Sequence, residues 1–305
     1  MPRTQRTGRR VAREPCGGGP WRGEQGSEYR ASARSIVRVD ATTVCGSDLH
    51  IMRGDLPEVK PGTILGHEAV GEVVEAGSGV HSLRPGDQVI VSSVSACGHC
   101  RACRDSLYGQ CRAGGGWILG SQINGTQAES VRVPFADYST NRRPSDLPLD
   151  DAVLLAEVLP TAYEVGVRNG HVSPGDTVVV VGAGPVGLAA AVVARLHSPR
   201  RVIVTDLSAA RLEAALRVGA DAAELPGKMI ADLSDGPGAD VVIEASGEPE
   251  GFVLCTRAVR TGGHIANIGT HGKPATLHLD GMEEAYEIFS HGTTTGALKV
   301  VLHCR

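Results

Sequence analysis

Four of the eight cysteines, Cys97, Cys100, Cys103 and Cys111, fall within fifteen residues at the spacing C-x2-C-x2-C-x7-C. Such short gaps let four thiolates converge on one tetrahedral ion, and soft, readily deprotonated thiolates suit zinc. Gly98, His99 and Gly109 supply the turns that a knuckle of this kind needs. Four ligands leave no open position, so the spacing predicts a closed, structural site. Disulfides are one alternative, but no apolar signal-peptide run opens the sequence, which favours a reducing, cytoplasmic setting. An iron–sulfur cluster is another; the bacterial ferredoxin run ends in a nearer fourth cysteine followed by proline, whereas Arg112 follows Cys111. Cys16, Cys255 and Cys304 read as free thiols.

A second constellation lies upstream, where Cys45 in VCGSDLH precedes His67 in GHEAVGEVVEAGSG by 21 intervening residues. A thiolate and an imidazole are part of a catalytic zinc set, which takes three protein ligands and leaves one position for water or substrate. A lone cysteine and a lone histidine are as readily core residues. Gly66, Gly71, Gly77 and Gly79 mark tight backbone around His67 and Glu68 and favour the ligand reading.

A third pattern can hold a dinucleotide. Residues 177 to 181 form a β-branched run, followed by Gly182, Gly184 and Gly187 in G-x-G-x-x-G, with Pro185 and Val186 inside the turn. Gly182 allows the tight turn, Gly184 lets backbone approach a pyrophosphate, and Gly187 allows close packing of helix on strand. The helix N-terminus then offers unpaired amides to the phosphates. Asp206 ends a second strand, RVIVT, nineteen residues past Gly187. An acid there binds both ribose hydroxyls and repels a 2′-phosphate, which favours NAD over NADP. Asp206 can also be read as a helix N-cap, although Ser208 is the better cap for the helix that follows.

The elements that must position these groups fall into two kinds. Strands near 177–181, 201–205, 222–225, 240–246 and 263–268 alternate with helical stretches, including one from about 249 to 260. Continuous apolar runs of this sort predict a doubly wound parallel sheet, the Rossmann arrangement. Residues 36 to 150 instead carry short strands, many turns and little helix. The expected fold class is therefore two-domain α/β, with a mostly-β domain over 36–150, a dinucleotide-binding domain over 151–279 and a C-terminal return over 280–305. A length of 305 residues with 41% hydrophobic content fits two cores. A net charge of −4 gives no reason to expect nucleic acid, and no apolar run is long enough to span a membrane. Residues 1 to 40 hold nine arginines and four acids without periodicity, so 1–35 read as a disordered or aberrantly translated leader; scattered acids and Gly17 to Gly19 argue against an amphipathic transit peptide.

Cys45, the GHE of residues 66 to 68 and the four-cysteine lobe, in that order and ahead of the glycine turn, resemble the zinc-dependent medium-chain alcohol dehydrogenases. GGWILGSQINGTQAESVRVPFAD and LPTAYEVGV resemble the branch of threonine-, sorbitol- and formaldehyde-dehydrogenase-like enzymes. The resemblance implies a GroES-like barrel for the first domain and two zinc ions, one catalytic and one structural. It implies Cys45, His67 and Glu157 as catalytic zinc ligands, the last where the branch usually carries aspartate. It implies Glu68 beside the metal and Ser47 with His50 as a proton relay. Arg211 would lie along the adenine, and Trp117 and Leu119 are candidates for the substrate pocket. The implied activity is hydride transfer between a small alcohol or aldehyde and NAD, in a homo-oligomer; alternatives are a polyol or threonine dehydrogenase, or a non-catalytic zinc and nucleotide binder. Compared with the family pattern, PATLHLDG runs directly into GMEEAYEIFSHG. The expectation is that several tens of residues and the sixth sheet strand are missing, that a helix near 282–289 and a closing strand at ALKVVL remain, and that stability and oligomerisation suffer.

Overall fold

The computed structural model describes residues 32–234 and 236–271, together with the pairing of Leu277–His278 and Leu302–His303 in a two-stranded sheet. The expected C-terminal helix, the rest of the closing strand and residues 1–31 lie outside the described residues. Contacts divide the chain into two units, Met1–Glu157 and Val158–Arg305, seven residues beyond the boundary expected at 150. Among the described residues, no helix is long and apolar enough to cross a membrane.

The first unit is built on a five-stranded antiparallel sheet. Its strands are β1 (Ser35–Thr42), β2 (Ala69–Ala76), β3 (Gln88–Val91), β4 (Ser130–Val133) and β5 (Thr140–Arg142), in the order β4-β1-β2-β3-β5. Alternating residues of these strands, Val37, Val73, Val89, Val91, Val131 and Val133, form one core cluster. The other face is covered in part as well, since Val70 and Ile90 pack with Ala152, Val153 and Ala156 in a second cluster. Order begins ahead of residue 36, because β1 starts at Ser35 and Ala33 is already buried.

The second unit is a five-stranded parallel sheet of β6 (Thr177–Val181), β7 (Arg201–Thr205), β8 (Ala222–Glu224), β9 (Ala239–Glu244) and β10 (Val259–Asn267), in the order β10-β9-β6-β7-β8. Val178 and Val180 pack into one core cluster and Val179 and Val181 into another, so β6 is buried on both faces. Two strands run to the bounds read from the sequence, 177–181 and 201–205. The helix before β10 is shorter than expected, Pro249–Ala258, and β10 starts four residues early at Val259. A register shift between Val259 and His264 accommodates the extra residues, with Gly262 at φ +76 inside it.

Candidate active site

The four cysteines of the lobe converge as expected. Their Sγ atoms all lie within 4.8 Å of one another, and Cys97, Cys103 and Cys111 are buried. Cys100 and Cys103 are 3.5 Å apart, far beyond a covalent S–S bond of about 2.05 Å, and all four thiols are free, which removes the disulfide alternative. Local backbone places them. Cys97 precedes Gly98 at φ +77, Cys103 sits in the short helix Arg101–Arg104, and Cys111 follows a 3-10 turn over Tyr108–Gln110. Mutual hydrogen bonds between Ser95 and Gly116 close the base of the lobe. Backbone N–H groups of Cys103 and Arg112 pull the Cys100 thiol down to about 6, while burial pushes Cys103 up to about 12. Four thiols so closely packed cannot ionise together unless a cation neutralises them, and the donor set fits zinc.

The second constellation is assembled from three segments of the first unit. Cys45 stands at the N-cap of the helix Gly46–Arg53, His67 and Glu68 lie just ahead of β2, and Glu157 ends the unit. One donor atom from each of Cys45, His67, Glu68 and Glu157 lies within 4.8 Å of the other three. His67 and Glu68 are only 3% and 2% exposed. Burial and then the Glu157 charge push the Cys45 thiol up and raise Glu68 to about 7. Burial lowers the His67 imidazole below its ordinary value. The buried Nδ1 of His67 and Oε2 of Glu68 have no hydrogen-bond partner. Mutually repelling donors, with the orphaned Oε2 of buried Glu68 among them, are what a divalent cation would satisfy.

Asp48 organises this site, and sequence reading did not single it out. The carboxylate is 2% exposed; Oδ2 accepts hydrogen bonds from the Cys45 amide at 2.9 Å and Gln127 Nε2 at 2.9 Å, and Oδ1 from the Gly66 amide at 3.3 Å. Oδ1 also lies 3.9 Å from His67 Nδ1, while His67 Nε2 lies 3.9 Å from Glu68 Oε1. The imidazole therefore turns Nε2 toward the donor cluster and Nδ1 toward the Asp48 charge, beyond hydrogen-bond reach. The only signal was an acid at the third position of a short helix behind Cys45, where it can reach back to the first amides.

The remaining predicted residues fall around this cluster with differing fit. Ser47 Oγ is 3.7 Å from Cys45 Sγ. His50 Nδ1 pairs with Asp55 Oδ2 at 2.8 Å, and among the described residues no direct hydrogen bond joins it to Ser47. The Trp117 ring meets His67 edge-on, with centroids 5.5 Å apart, and Leu119 is fully buried in the barrel core.

In the second unit, the glycine turn follows β6 directly. Gly182 adopts φ +98, and a Cβ there would stand 2.7 Å from the Ser246 amide nitrogen. A Cβ on Gly187 would collide with the Gly182 carbonyl, whereas one on Gly184 would meet nothing, leaving space beside that backbone. Pro185 and Val186 begin the helix Pro185–Ala194. Asp206 Oδ2 accepts a hydrogen bond from the Ala183 amide at 2.7 Å, and Arg211 Nη1 lies 3.6 Å from it. Ser208 occupies the N-cap position, but its hydroxyl makes no capping bond; its amide donates to Asp206 Oδ1 at 2.8 Å instead. Asp206 thus ties the Ala183 amide of the turn to the Ser208 amide at the start of the next helix.

An antiparallel barrel-type sheet bearing two zinc-type donor sets, joined in one chain to a parallel sheet with a dinucleotide turn, defines a zinc-binding dehydrogenase. Residues 32–143 match the alcohol dehydrogenase GroES-like domain and residues 185–297 the zinc-binding dehydrogenase domain. A medium chain reductase/dehydrogenase of Acremonium sp is 39% identical over 249 residues, 77% of this chain and 84% of that protein. The glutathione-independent formaldehyde dehydrogenase of Pseudomonas aeruginosa is 44% identical over 231 residues, 70% of this chain, which spans only 55% of that enzyme's length. The apo zinc dependent alcohol dehydrogenase 2 from Streptococcus pneumonia superposes with a TM-score of 0.75 at 38% identity, covering 88% of this chain and 90% of the other. The chain belongs to the zinc-dependent medium-chain alcohol dehydrogenases, oxidoreductases that use zinc and a nicotinamide cofactor.

Proposed function

We propose that the chain is an NAD-dependent alcohol dehydrogenase that holds two zinc ions, a structural one in the cysteine lobe and a catalytic one at Cys45, His67 and Glu157. The observation that carries this reading is the convergence of four donor atoms from three separate segments within 4.8 Å. Bound there, zinc supplies Lewis acidity to an alcohol oxygen, and bound NAD supplies the hydride acceptor. Asp48 holds the imidazole of His67 in its productive orientation. Glu68, buried and the fourth donor of the cluster, stands beside the metal position, where a cation would relieve its repulsion by Glu157. Ser47, next to Cys45, accepts the hydroxyl proton, which would reach His50, steadied by Asp55, through a bridging water or cofactor hydroxyl, because among the described residues no direct hydrogen bond joins the two. Gly182 to Gly187 cradle the pyrophosphate, and Asp206 takes the ribose hydroxyls and disfavours a 2′-phosphate.

The test is NADH formation by the purified chain with NAD and, in turn, short alcohols, polyols, threonine and formaldehyde, alongside zinc content. Turnover with two zincs per chain is expected, with NAD preferred to NADP. Two zincs and NADH binding without turnover on any of these substrates would favour the non-catalytic binder instead.

A further inference from the structure

The parallel sheet changes direction at β6. Strands β7 and β8 extend one side of it and β9 and β10 the other. Ligands of open α/β sheets bind at the carboxyl ends of the strands where the order reverses, so the crevice lies between the ends of β6 and β9. One wall is the Gly182 turn. The other is the Ser246–Gly247 turn after β9, which lies so close that a Cβ on Gly182 would stand 2.7 Å from the Ser246 amide nitrogen.

A carboxylate with no solvent exposure holds that second wall. Glu244, the last residue of β9, is 0% exposed. Its Oε1 accepts hydrogen bonds from the Ser246 amide at 2.8 Å, the Ser246 hydroxyl at 2.5 Å and the Gly247 amide at 3.2 Å. Its Oε2 faces His271 Nε2 at 3.2 Å, in the loop that follows β10. The Glu244 carbonyl meanwhile accepts from the Ile268 and Gly269 amides. A Cβ on Gly269 would collide with Oε2 and one on Gly251 with the Ser246 hydroxyl, so the backbone is cut to the shape of this side chain.

A buried carboxylate is costly, and a valine or isoleucine would serve the strand as well as its neighbours Val242 and Ile243 do. We infer that Glu244 is a positioning residue for the cofactor: its carboxylate fixes the Ser246–Gly247 turn against Gly182, and so sets the width of the dinucleotide crevice. This rests on the nicotinamide cofactor of the proposed function.

Glu244→Ala, Glu244→Gln and Ser246→Ala in the full chain test it, with NADH titration, zinc content and steady-state rates. Glu244→Ala is expected to weaken NADH binding and raise KM for NAD by about tenfold, with kcat within about threefold and zinc content unchanged. Gln keeps an acceptor oxygen for the turn, so Glu244→Gln should recover to within about threefold of the unaltered chain. Wild-type NADH affinity in folded Glu244→Ala would overturn the inference. If that variant does not fold, Ser246→Ala decides: about threefold weaker binding supports the inference, and unchanged binding overturns it. Failure of the unaltered chain to bind NADH at all would overturn the cofactor assignment itself.

Discussion

The two donor clusters of the first unit solve the same problem in opposite ways. In the lobe, four thiols come from residues 97 to 111 and are placed by turns and one short helix of that same segment. At the second cluster, Cys45, His67, Glu68 and Glu157 come from distant parts of the chain and mix a thiol, an imidazole and two carboxyls. The lobe set is chemically uniform and complete, suited to closing an ion off. The mixed set depends on Asp48, which ties the Cys45, Gly66 and Gln127 segments together with one carboxylate. Locality makes the first site robust, and distributed support makes the second adjustable.

Breaking the lobe should have the largest effect on the molecule as a whole. Cys103→Ser removes a buried ligand, and metal binding there is folding energy for the lobe. One zinc per chain should be lost and the thermal midpoint should fall by about 5 °C or more, as read by calorimetry. A midpoint within a degree of the unaltered chain would mean that the lobe stands without its metal.

Asp48→Asn should be milder in stability and selective in metal. The amide still accepts a backbone hydrogen bond but loses the charge facing His67 Nδ1, so zinc affinity at the Cys45 cluster should drop about 10–100-fold. Zinc in the lobe should survive a chelator concentration that strips the other site. Equal loss from both would remove the distinction between them.

The smallest effect concerns protonation. With metal stripped, Glu68 holds its proton up to about 7, above the ordinary carboxyl value of 4.5. A raised folded-state value favours folding at low pH, and that contribution is lost as pH climbs through the interval from 4.5 to about 7. His67, lowered by burial, acts in the opposite sense, gaining stability as pH rises toward 6.5. The comparison of Glu68→Gln with the unaltered chain isolates the first trend: the metal-free variant should gain relative stability between about pH 5 and pH 7 in thermal melts. A constant difference across that range would place the Glu68 proton elsewhere.

What the sequence disclosed follows from the same contrast. The convergence of the four cysteines was legible because they are local in sequence. Strands β6 and β7 were legible because burial on both faces writes a continuous apolar run, Thr177–Val181 and Arg201–Thr205. The early start of β10 was not, since Val259 and Arg260 read as the end of a helix until their register against β9 is seen. The pairing of Cys45 with His67 leaned on the glycines around His67 and on family resemblance, because nothing in a gap of 21 residues says that two loops meet. Asp48 and Glu244 escaped notice because their importance lies in which backbone amides surround them, a property of the folded chain alone.

The most direct measurement is zinc content and NADH formation in His67→Ala. One zinc per chain, held by the cysteine lobe, with no NADH formed from an alcohol that the unaltered chain oxidises, is the expected result. Two zincs per chain, or turnover at the unaltered rate, would contradict a catalytic metal centre built on Cys45, His67 and Glu157.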